Sequence, residues 1–189
     1  SAPEAESSVT VTADVKGIFD MAEVAAIDPN YDMGYAAFIV IDYIIDGDYT
    51  DLYYGIYKAA SVSQATDDQI KESLMSRSPK TATRGVQMLS VYDESYVITA
   101  VVVDPDGNVS RLYRSEPFTL TSGETDDPEY FFDLVQGQAS VTSLSFFEQQ
   151  VPVIFPVFED GAVYESVVKA EKKSFDLNVK SSRDTFSRR

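Results

Sequence analysis

Asp104, Asp106 and Asn108 stand at the D-x-D-x-N spacing with which a calcium-binding loop begins, where alternate side chains turn oxygens toward one cation. Such a loop closes with a glutamate at its twelfth position. That position is Ser115, and Glu116 falls one place late. The flanking segments alternate as strands instead of repeating as helices. Asp104-Pro105-Asp106-Gly107-Asn108 is also dense in turn chemistry, since Pro presets φ, Gly accepts positive φ, and Asp and Asn bond their own backbone. The expected structure is a hairpin loop without metal. Asn108-Val109-Ser110 additionally fits the acceptor pattern for N-glycosylation.

A second acidic group, Asp42, Asp46, Asp48 and Asp51, gathers around one turn beside Tyr49, Tyr53 and Tyr54. Carboxylates bond sugar hydroxyls and tyrosine faces stack on sugar rings. Asp46, Asp48, Tyr49, Asp51 and Tyr53 therefore make a candidate ligand rim, for calcium or for a glycan. The plainer expectation is a solvated hairpin end whose tyrosines belong to the core. The chain has no tryptophan, which counts against a sugar-stacking platform.

Covalent chemistry is poorly supplied. With no His and no Cys, the chain cannot build a Ser-His-Asp triad, a thiolate nucleophile, a disulfide or an ordinary zinc site. Paired carboxylates suffice for glycoside hydrolysis, but among 31 acids some pair always falls close, so that pairing carries no information. Neither G-x-x-x-x-G-K-S/T nor G-x-G-x-x-G occurs. The expectation is a non-catalytic protein without a cofactor.

Charge narrows the partners. Fifteen Lys and Arg against 31 Asp and Glu give −16, a field that repels phosphate backbones and anionic lipid surfaces. No nucleic-acid partner is expected. The apolar runs Tyr35–Ile41 and Val97–Val103 fall well short of the ~20 residues a spanning helix needs. Both are better read as strands. From Lys169 to Arg189 the balance reverses, with seven cations against Glu171, Asp176 and Asp184.

The elements that must position these residues are mostly strands. Val9, Val11, Ala13 and Val15 alternate with polar residues, as a half-buried strand requires. Residues 18–27 suit helix or strand, and the quick stop at Asp28-Pro29-Asn30 tips the reading toward strand. Ala37, Ile39, Ile41, Tyr43 and Ile45 make the next apolar face, followed by an aromatic strand at Leu52–Lys58. Thr66-Asp67-Asp68-Gln69 is a capping box. With Ile70, Leu74 and the stop at Ser78-Pro79, it predicts one inserted helix near 66–77.

Strands follow at Val86–Tyr92, Tyr96–Val103, Val109–Tyr113 and Phe118–Thr121. Residues 121–129 read as an acidic linker. Beyond it, Tyr130–Val135, Val141–Phe147, Val151–Phe158, Ala162–Val168 and Phe175–Val179 alternate again. Pro152 and Pro156 mark the third of these as an edge strand. The last, with its flanking cations, is expected to pair with a sheet of the acidic body.

The series Tyr96 to Ser110, with Ala100, Val102, Asp104 and Asp106-Gly107-Asn108 at alternate places, and the closing Pro117-Phe118-Thr119-Leu120-Thr121 resemble the last strands of a fibronectin type III domain. Leu52–Ala59 (LYYGIYKA), followed by a short acidic helix, is similar to fibronectin-III-like modules of Bacteroidetes-type surface lipoproteins. The resemblance spans Val9 to Thr121. It implies an all-β, Ig/fibronectin-III-like sandwich with one short inserted helix over residues 1–122; the alternating segments beyond the linker, outside the resemblance, are expected to form a smaller β region over 128–189. Tyr96 would be the structural corner tyrosine, its hydroxyl bonded back to the preceding corner, and would matter more than Tyr92. The implied setting is extracytoplasmic, at the cell surface or in the periplasm, and lipid-anchored, with membrane association only through an anchor upstream of Ser1. The implied role is an interaction or accessory module with a protein or glycan partner; a fibre subunit or a carbohydrate-binding module are the alternatives.

Overall fold

Two segments, Ala37–Ile41 and Tyr96–Val102, are buried at every residue instead of every second one. A strand reads that way when both faces of its sheet are covered. In the computed structural model, which describes residues 5–135, each lies on the central strand of a sheet. Sheet A orders β1 (Thr10–Asp20), β2 (Ala37–Asp46) and β4 (Arg84–Leu89), all antiparallel. Sheet B places β3 (Asp51–Lys58) on one side of β5 (Glu94–Val103), with the short β6 (Tyr113–Arg114) and β7 (Phe118–Leu120) along the other.

The inner faces bury one common cluster. Val11, Ile39, Ile41 and Tyr43 of sheet A share it with Leu52, Tyr54, Ile56, Ile98 and Val102 of sheet B. Helices pack on part of each outer face. On sheet A, Phe19, Phe38, Val40 and Met88 pack with Met21 and Val24 of α1 (Met21–Ile27) and Phe131, Leu134 and Val135 of α4 (Pro128–Val135). On sheet B, Tyr57, Val97 and Val101 pack with Val62 of α2 (Ala59–Val62) and Ile70 and Leu74 of α3 (Asp67–Met75). Each fully buried side chain of this size is worth roughly 1.5–3 kcal/mol before entropy, so the outer clusters add to the core between the sheets.

Among the described residues the protein is thus mostly β, with four α-helices and a short 3-10 turn (Pro29–Tyr31) where one helix was expected. The helix foreseen near 66–77 is α3, and both bonds of its Thr66–Gln69 capping box form. The strand reading of residues 18–27 holds only through Asp20. There the Asp20 carboxylate accepts the Glu23 N–H and starts α1, whose Met21 and Val24 reach the core one turn apart. Tyr130–Val135 is likewise a helix and not a strand. The Asp127 carboxylate accepts the Glu129 N–H, Pro128 fits the first turn, and Phe131, Leu134 and Val135 fall on one helical face. Val109–Tyr113 shrinks to a single bridge at Val109 before β6. The readings at 141–147, 151–158, 162–168 and 175–179, and the basic end, lie outside the described residues.

The linker candidate is tied down at one point. Asp126 donates its N–H to Ile18 O at 2.7 Å and accepts the Ile18 N–H on its carboxylate at 2.9 Å, closing that stretch of the β1 edge. The register of β1 slips between Val15 and Gly17. Gly17 is required there, because a Cβ would stand 2.5 Å from Phe19 Cζ.

Candidate functional site

The chain from Asp46 to Asp51 does not close a hairpin. β2 and β3 lie in different sheets, so the segment is a crossover and not the expected hairpin end. The apolar faces of both strands point into the same core, which only a change of sheet allows. Gly47 turns the crossover with φ +118°, a conformation that favours glycine.

The crossover is clamped to its neighbour. The Thr50 N–H donates to Val103 O at 2.8 Å and the Thr50 hydroxyl donates to the same oxygen at 3.3 Å. Val103 leads directly into the turn at 104–108. There Asp104 Oδ1 accepts the N–H groups of Asp106 and Asn108, both at 2.9 Å, while Oδ2 accepts the Ser7 hydroxyl at 2.7 Å. These bonds, that of Ser7 foremost, hold the Asp104 carboxyl below the usual carboxylate range. Ser7 also donates its N–H to Val109 O. The N-terminal segment, the crossover and the turn therefore meet at one end of the sheets.

The candidate rim divides between surface and interior. Asp46, Asp48 and Tyr49 are exposed, Tyr49 by 38%. Asp51 and Tyr53 are half-buried at the start of β3. Tyr53 packs against the cluster beneath α2 and α3, and its burial, with Asp51 nearby, raises its phenol pKa. Tyr54 belongs to the core. Asp42 stands apart from the rim, bonded in two places by the Arg84 guanidinium. Among the described residues, no group of three or more acidic side chains is arranged to hold a metal ion.

Tyr96 sits just after the chain passes from β4 in sheet A to β5 in sheet B. Its hydroxyl accepts the Val91 N–H at 3.1 Å and donates to Val91 O at 3.0 Å, with the Ser90 hydroxyl at 3.2 Å. Tyr92 has a partner too: its hydroxyl donates to the Asp20 carboxylate that starts α1. Burial first, and then this bond, push the Tyr92 phenol pKa up.

Protein-family models, curated proteins and solved structures offer no match to this chain. What the rim offers a ligand follows from its own side chains. Asp46 and Asp48 are hydrogen-bond acceptors for hydroxyl or ammonium donors, and Tyr49 is a partly exposed aromatic side chain next to Asp48 in the chain. The clamp through Thr50 and the link from Asp42 through Arg84 to the Leu134 carbonyl, at 3.1 Å, were not legible in the sequence. The only local signal was the charge of an arginine near the start of an expected strand. Among the described residues, no helix is long and apolar enough to cross a membrane.

Proposed function

We propose that the region from Val9 to Thr121 is an Ig/fibronectin-III-like sandwich acting as a non-catalytic, extracytoplasmic interaction module of a cell-surface protein. The pairing order supports the sandwich. β1-β2-β4 corresponds to the A, B and E strands of Ig-like folds, and β3, β5 and β6/β7 to C, F and G. α2 and α3 fall between the C and E equivalents, where an insertion leaves both sheets intact. The hydroxyl of Tyr96, bonded back to Val91 at the start of the F equivalent, fits a corner tyrosine.

One observation carries the interaction role: the two hydrogen bonds from Thr50 to Val103 O. They tie the end of the 46–51 crossover to the strand that leads into the 104–108 turn, so that the exposed Asp46, Asp48 and Tyr49 stand on a tethered loop. Loops held in this way are the usual binding surface of sandwich modules. The setting at the cell surface rests on the family resemblance, and the acidic surface is consistent with a polyhydroxylated or cationic partner.

Glycan-array binding by the whole chain, compared with Tyr49→Ala and Asp48→Ala, tests the rim. Binding lost in both variants at unchanged melting temperature supports a glycan partner at this site. Variants that bind as well as the parent overturn it. Concentration-dependent oligomers in light scattering, with no glycan binding, favour the fibre-subunit reading instead.

A further inference from the structure

Aspartate followed by glycine occurs twice among the described residues, at Asp46-Gly47 and at Asp106-Gly107. Glycine has no Cβ to shield its amide nitrogen, so that nitrogen can reach the side-chain carboxyl of the residue before it. Both pairs are exposed, and both glycines have positive φ, +118° at Gly47 and +86° at Gly107. Their amides differ. The Gly107 N–H donates to Asp104 O at 2.9 Å, and the Asp106 N–H donates to Asp104 Oδ1 at 2.9 Å, so this pair is held inside its turn. The Gly47 N–H has no hydrogen-bond partner among the described residues. Asp46 ends the β1–β2 ladder opposite Thr10, and the chain from Asp46 to Thr50 is exposed. The next backbone N–H bonded among the described residues is that of Thr50.

We propose that Asp46-Gly47 is a site of spontaneous isomerisation, at which the main chain passes from the α-carboxyl to the β-carboxyl of Asp46. The Gly47 nitrogen bonds to Cγ of Asp46. The Cγ–OH bond breaks, and the hydroxyl leaves with the amide proton as water, closing a cyclic imide. Water then opens the ring. Attack at Cγ restores aspartate. Attack at the main-chain carbonyl carbon breaks its bond to the Gly47 nitrogen, which takes back a proton, and leaves isoaspartate. No co-reactant other than water is consumed. The step needs a nitrogen that can give up its proton and turn toward Cγ, and a hydrogen bond such as that of Gly107 opposes both. Isoaspartate carries the main chain through an added methylene where β2 enters the crossover, and its side group is the former α-carboxylate. The candidate rim is thereby altered at Asp46, while the turn at Asp104 keeps its form.

Holding the whole chain at neutral pH in heavy-oxygen water, then mapping it by peptide mass, tests the proposal, because each opening of the imide adds a solvent oxygen. Isoaspartate itself is scored by labelled methyl transfer from an isoaspartyl-specific carboxyl methyltransferase. Both signals are expected to grow about tenfold faster at 46–47 than at 106–107, the factor carried by the hydrogen bonds that hold the second pair. In urea, where those bonds are gone, the two pairs are expected to react at similar rates. Equal rates in the folded chain, faster reaction at 106–107, or no reaction at either pair would overturn the proposal. So would a preference for 46–47 that survives in urea, since the local sequence and not the fold would then decide it. Asp46→Glu, whose longer side chain disfavours the ring, is expected to abolish the signal from the peptide covering 46–47 alone. A signal that persists there places the chemistry at another residue and sinks the idea.

Discussion

The ring of Tyr43 on β2 lies flat on that of Tyr54 on β3, centroids 4.0 Å apart and planes 9° from parallel. The two rings come from different sheets, so their stack joins sheet A directly to sheet B. Gly85 on β4 makes room for it, since a Cβ there would stand 2.9 Å from the Tyr54 ring. The Tyr43 hydroxyl donates to Gln87 Oε1 at 2.7 Å, both groups buried. Tyr43→Phe keeps the stack but strands that acceptor, and urea titration is expected to show a loss of about 1–3 kcal/mol. Adding Gln87→Met, which removes the stranded group, is expected to recover most of it. A double variant no more stable than the single one would contradict this account.

Tyr96→Phe and Tyr92→Phe differ in what they leave behind. Removing the Tyr96 hydroxyl deprives the Val91 N–H of its acceptor and the Val91 carbonyl of a donor. Removing the Tyr92 hydroxyl leaves Asp20 still accepting the Glu23 N–H. Tyr96→Phe is expected to cost about 1–3 kcal/mol and Tyr92→Phe about 0.5–1.5 kcal/mol. Chemical denaturation of both variants checks the order, and a larger loss at Tyr92 would reverse the roles assigned to them.

Asp42 makes stability depend on acid. The hydrogen bonds from Arg84 hold its carboxyl below the ordinary value, against the opposing effect of burial. A pKa depressed in the folded state contributes stability that is fully present above the unfolded value, about 4, and is lost as pH falls through the folded one. The fall in unfolding free energy between pH 7 and pH 3 is therefore expected to be smaller in Asp42→Asn than in the parent. Identical pH profiles would show that the pair with Arg84 does not stabilise the fold.

Millimolar calcium is expected to leave the melting temperature unchanged. The Asp104 oxygens already accept three hydrogen bonds from Ser7, Asp106 and Asn108, and the turn is built on them. Asp104→Ala is expected to lower the melting temperature with or without calcium. A rise of several degrees with the ion, reversed by chelator, would show that these oxygens exchange their donors for a cation.

Local chemistry was legible from the sequence wherever one segment satisfies itself. The Thr66–Gln69 capping box and the bonds from Asp106 and Asn108 to Asp104 involve residues within four positions of one another, so they were legible locally, whereas the Ser7 bond to the same carboxylate was not. The alternating and continuous apolar runs located the main strands for a similar reason, since burial on one face or two is written in the side chains. Asp127-Pro128-Glu129 was also a helix start in plain sight. The short apolar run after it fits strand or helix equally, and what it packs against decides between them.

Only the tertiary structure decided which strands share a sheet. Nothing within Asp46–Asp51 distinguishes a hairpin from a crossover; the difference lies in whether Tyr43 and Tyr54 pair side by side or face each other across a core. The same holds for Asp42. Its separation from the rim follows from Arg84, 42 residues away and paired with it only once β2 and β4 align. Bonds between distant residues exist only after burial has fixed the register, so no local pattern can encode them.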